Sequence, residues 1–112
     1  MHGPSKKLKA ALRECTRLAW EAEMRGALLP LALMFDEWKS EKLSTSDLNQ
    51  AIHEYHNGAA REIWRRFATD DPTMPLAYAV ASGVLPKDSL PAEVLEHIAS
   101  KVEHLLELEE QE

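Results

Sequence analysis

Two histidines three residues apart, His53 and His56, are the side chains of this chain best suited to chemistry. On a helix, positions i and i+3 lie on adjoining turns of one face. Imidazoles placed this way can share a metal ion or move a proton near neutral pH. A metal centre needs at least one or two more ligands. Glu54 is turned about 100° from His53 around a helix, so it is poorly aimed to supply one, and His97 could join only through the fold. The chain contains neither the HExxH of zinc proteases nor the paired Glu-x-x-His of di-iron bundles. The alternative reading is structural. It sets His56 at the core border beside Ile52 and Ile63, bonded to a backbone carbonyl, with His53 at the edge near Trp64.

The same segment, His53 to Arg66, holds a second chemical group. Asn57, Arg61 and Arg65 share a polar helix face, flanked by Trp64. Guanidinium groups beside an aromatic plane suit carboxylate or phosphate recognition. Arg66 has Glu62 at i−4 and is expected to pair with it. Arg61 and Arg65 have no acid at that spacing, so they are open to a loose solvated pairing, a protein partner or an anionic ligand. Trp and Arg are common anchors of protein interfaces. Trp38, Asn57, Arg61, Trp64 and Arg65 are therefore the expected contact residues.

Elsewhere the chemistry is sparse. Cys15 sits on an apolar stripe, where a free thiol behaves as a small hydrophobe. A nucleophilic role needs exposure and a nearby base. There is no Gly-x-Ser-x-Gly elbow. With four glycines in 112 residues, a phosphate cradle of backbone amides is not expected. No cofactor is implied.

These groups must be positioned by helices. The chain has 16 Leu, 15 Ala and 14 Glu against 4 Val and 3 Ile, and Ala, Leu and Glu lose least on entering a helix. Ser5 is a candidate N-cap for a first helix ending near Arg25, with Leu8, Ala11, Leu12, Cys15, Ala19 and Ala22 on one stripe. Gly26 and Pro30 predict a break. Leu28 to Phe35, apolar on every face, is expected to be the buried central element. Trp38 is expected to fold back onto the core.

Ser44-Thr45-Ser46-Asp47 starts the next helix, whose stripe of Leu48, Ala51, Ile52, Tyr55 and Ala59 rotates after Gly58. A short helix over Leu76 to Ser82 is capped by Gly83. Ser89 and Pro91 open a last one, with Val94, Leu95, Ile98, Val102, Leu105 and Leu106 inward. The prediction is an all-α fold, a compact bundle of about five helices in one domain over 1–112, with 107–112 as a frayed acidic tail.

Charge and cysteine content narrow the function. The net charge is −6, which disfavours nucleic acid because phosphate neutralisation supplies most of that affinity. The basic residues gather near the start, Lys6, Lys7 and Lys9 among them, and the acidic ones at Glu107, Glu109 and Glu110. Both groups oppose the helix macrodipole and could offset each other within one chain or between two. The longest apolar run is too short to cross a bilayer. One unpaired cysteine and no secretory leader suit a reducing, cytoplasmic setting. The expected function is that of a non-catalytic interaction or regulatory protein, acting as a homodimer or a complex subunit. The alternative is a metal-dependent or acid/base enzyme using His53 and His56.

Overall fold

The computed structural model describes residues 3–111. The first two residues and Glu112, the last residue of the acidic tail, lie outside that range. The fold is all-α, with no strand among the described residues. Among the described residues five helices follow in order: α1 (Lys6–Lys39), α2 (Thr45–Asn57), α3 (Ala59–Phe67), α4 (Thr73–Ala81) and α5 (Ala92–Glu110), with a 3-10 turn at Lys87–Ser89 before α5. The chain divides into two compact units. The first comprises residues through Ala22 and from Thr69 onward, and the second comprises Glu23–Ala68.

In the first unit, Ser5 caps α1 as expected, its hydroxyl accepting from the Leu8 amide at 3.0 Å. Leu12, Cys15 and Ala19 are buried at 3–4-residue spacing, the signature of one helix face turned inward. The core is centred on α4, which packs against α5. Leu76, Ala77 and Ala79 of α4 and Val94 and Ile98 of α5 are wholly inaccessible. Burial of a side chain such as Leu76 stabilises the fold by about 1.5–3 kcal/mol. Gly83, at φ +81, ends this segment in the left-handed region that a residue with a Cβ adopts at a cost. Thr16 ties α1 to the start of α4, donating to the Pro72 carbonyl at 3.3 Å.

The second unit is an antiparallel helical hairpin. The later part of α1 runs out to Lys39, and the chain reverses over Ser40–Ser44, where Glu41 takes φ 64. The path then returns through α2 and α3. Ser44 caps α2 through a 3.0 Å bond from the Asp47 amide. The two arms are tied at both ends. At the loop end the Trp38 indole N–H donates to Thr45 Oγ1 at 3.0 Å. At the open end Arg66 of α3 is ion-paired with Glu23 of α1. Gly58 separates α2 from α3 and bends the returning arm. A Cβ there would lie 2.8 Å from the Glu54 carbonyl oxygen, closer than a side chain tolerates.

Two sequence expectations fail here. The predicted break at Gly26 and Pro30 does not occur, because α1 continues through both. The proline ring crowds the carbonyl four residues earlier, and that residue is Gly26. Met24, Ala27, Leu31 and Met34 recur at alternating three- and four-residue steps and are part-buried on both sides of Pro30, so hairpin packing carries the helix across it. The predicted central element is also misplaced. Leu28, Leu29, Leu33 and Phe35 are exposed, Leu33 at 64%, whereas the buried core of the first unit is built on α4.

Candidate functional site

The chemistry-bearing residues of His53–Arg66 lie on the returning arm of the hairpin. Gly58 divides them between the end of α2 and the start of α3. His56, Asn57, Ala60, Arg61 and Trp64 line one open depression of about 410 Å³. The spacing explains the grouping, since His56, Ala60 and Trp64 are successive i, i+4 neighbours. Asn57 and Arg61 form the adjoining column. His53, Arg65 and Trp38 are not part of that lining.

Both histidines are exposed, which corrects the expectation that His56 borders the core. Neither makes a hydrogen bond among the described residues. No group of three or more His, Cys, Asp or Glu side chains is arranged to hold a metal ion among the described residues. Cys15, in the first unit, is buried. Burial pushes its thiol above the ordinary value, and the charge of Glu14 adds to this. Both effects oppose the thiolate a nucleophile requires.

Trp64 is the most open large apolar side chain of the hairpin, at 68% exposure. Trp38 is half-open and stands edge-on to Phe35, their ring centroids 6.4 Å apart at 86°. It closes the loop end of the hairpin and does not enter a core. Leu28, Leu29, Leu33 and Phe35 on α1 and Ile52 and Trp64 on the returning arm are all exposed. Beneath them Leu48 and Ile63 are the hydrophobic side chains of Glu23–Ala68 that are buried among the described residues. Two helices offer each other one face, so a second apolar face on either arm has nothing within the hairpin to cover it.

Charge is polarised along this hairpin. The loop end carries Asp36, Glu37, Glu41 and Asp47 against Lys39 and Lys42, all exposed. The open end carries exposed Arg25, Arg61 and Arg65 against Glu62. Among the described residues Arg25, Arg61, Arg65, Asp36, Glu37 and Asp47 make no ion pair. Arg66 pairs with Glu23 on the other arm, a partner that its i−4 spacing to Glu62 does not predict. Glu23 is buried, and a buried carboxylate competes better for a guanidinium than an exposed one screened by water. Glu23 carried no signal in the sequence, because its partner lies 43 residues away.

Comparison with known protein families, with curated proteins and with solved structures finds no match to this chain. No helix among the described residues is long and apolar enough to cross a membrane.

Proposed function

We propose that this is a non-catalytic interaction protein that works by binding another protein chain, as a homodimer or as a subunit of a small complex. The observation that carries the reading is the apolar surface of the Glu23–Ala68 hairpin, where Leu28, Leu29, Leu33, Phe35, Ile52 and Trp64 stay open to water. Large apolar side chains left open in number on one element mark interaction sites. An open Trp or Phe contributes on the order of 150 Å² by itself. Arg61, Arg65 and Asn57 border Trp64 with the polar rim that interfaces use. The reading places the protein in the cytoplasm, supported by the single reduced cysteine.

The test is the size of the native protein in a gently prepared extract of the cells that make it, followed by gel filtration and immunodetection. The reading predicts elution well above the 12.7 kDa of one chain. It also predicts a shift to the single-chain size when Leu28→Gln and Trp64→Gln are combined. Elution of the unaltered protein as a single chain contradicts it.

A further inference from the structure

We infer that the occupant of the hairpin face is a second copy of this chain, laid antiparallel on the first so that two hairpins complete a four-helix arrangement about a two-fold axis. The inference rests on the interaction reading above and specifies its partner.

Charge complementarity selects the second copy. Each hairpin is net acidic at its loop end, where Asp36, Glu37, Glu41 and Asp47 outnumber Lys39 and Lys42, and net basic at its open end, where Arg25, Arg61 and Arg65 outnumber Glu62. An antiparallel copy sets the basic end of each hairpin against the acidic end of the other, twice by symmetry. A parallel copy sets like against like, which is unfavourable. The same charges that make no ion pair among the described residues therefore find partners in the symmetric mate.

Helical geometry supplies the surface. Residues advance by 100° along each arm. In an antiparallel pair this turns Leu28, Ala32 and Phe35 of α1 to the same flank as Ile52, His56, Ala60 and Trp64. Ala32 and Ala60 are the small residues of this flank, and small residues let helices approach closely.

The arm from Glu23 to Lys39 is about 25 Å long, and two helices side by side are about 20 Å wide. Such a face has a footprint of about 500 Å² before side-chain corrugation is counted, the scale of a modest interface.

The experiment uses two charge-reversed forms of the full chain. One combines Arg61→Glu with Arg65→Glu, and the other combines Asp36→Lys with Glu37→Lys. All four positions are exposed, so folding should be retained, and circular dichroism of each variant checks it. Mass is measured by light scattering at about 100 µM protein and about 50 mM salt, where screening is weak. The unaltered chain should show twice 12.7 kDa. Each variant alone should associate at least about tenfold more weakly, and an equimolar mixture should recover the dimer, since both contacts are then opposite in sign. A purified unaltered chain that stays single overturns the inference. So do variants that dimerise as well as the parent, or a mixture that fails to recover. If the purified chain stays single while the native extract still holds a larger assembly, the second copy is excluded and the interaction reading stands.

Discussion

Glu23 on α1 and Arg66 on α3 form an ion pair that joins the two arms of the hairpin at its open end, with the carboxylate almost fully buried. The pair gives the hairpin a fixed register from residues 43 positions apart. Removing one member of such a pair leaves the other charged and poorly solvated. Arg66→Ala should therefore destabilise the protein by about 3 kcal/mol, read as a fall in the urea midpoint. Loss of less than about 0.5 kcal/mol would show that water solvates Glu23 well enough without its partner.

Gly58 holds the bend between α2 and α3. A Cβ at this position meets backbone, the Glu54 carbonyl oxygen at 2.8 Å, and backbone cannot rotate aside as a side-chain tip can. Gly58→Ala should cost about 1–3 kcal/mol and lower the thermal midpoint. A neutral or stabilising result would mean that α2 and α3 can merge into one straight helix.

Asp71 gives the stability a specific pH dependence. Its carboxylate accepts from the Thr73 hydroxyl and from the Thr73 amide, the latter at 3.0 Å, and Lys101 lies 3.7 Å away. Together these hold its pKa below the ordinary 3.8, the Thr73 side chain contributing most. A carboxylate with a depressed folded-state pKa stabilises the fold above its unfolded value, and the contribution fades as pH falls through the folded one. The parent should therefore be more stable than Asp71→Asn at pH 6–7, by a modest amount because Asp71 is half-exposed. The gap should narrow as pH falls below 3.8 and through the depressed folded value. A gap that persists at acid pH contradicts this assignment.

How far the sequence could be read follows from the range of each interaction. The caps at Ser5, Ser44 and Gly83 were legible because each satisfies backbone groups within its own turn. The Leu12, Cys15 and Ala19 stripe was legible for the same reason, since its spacing is intrinsic to one helix. The Glu23–Arg66 pair was not, because nothing near Glu23 announces a partner from another helix. Leu28 to Phe35 was misread for a different reason. Apolarity on every face says that a segment must be covered, but does not say whether its own chain or another one covers it. Of the residues singled out at the start, Asn57, Arg61, Trp64 and His56 come together, whereas Trp38, Arg65 and His53 lie apart from that depression.

Trp64 should separate folding from association. With 68% of its surface exposed, Trp64→Ala should change the stability of the dilute chain by less than about 0.5 kcal/mol. The same change should weaken self-association by about 2 kcal/mol or more, as loss of a central aromatic anchor does. Urea titration at low protein concentration and sedimentation across a concentration series measure the two effects independently. A large stability loss with unchanged association would place Trp64 in the fold and not in the interface.

The antiparallel pairing of hairpins is tested most directly by one distance. A spin label attached through Lys42→Cys sits at the exposed loop end of each hairpin, while the native Cys15 is buried and should remain unlabelled. Antiparallel copies hold their loop ends at opposite ends of the assembly, so dipolar spectroscopy should give a separation of about 25 Å or more, set by the 1.5 Å rise along the arm. Absence of any dipolar coupling between labelled chains, or a separation well below about 20 Å as in a parallel pair, would contradict the account.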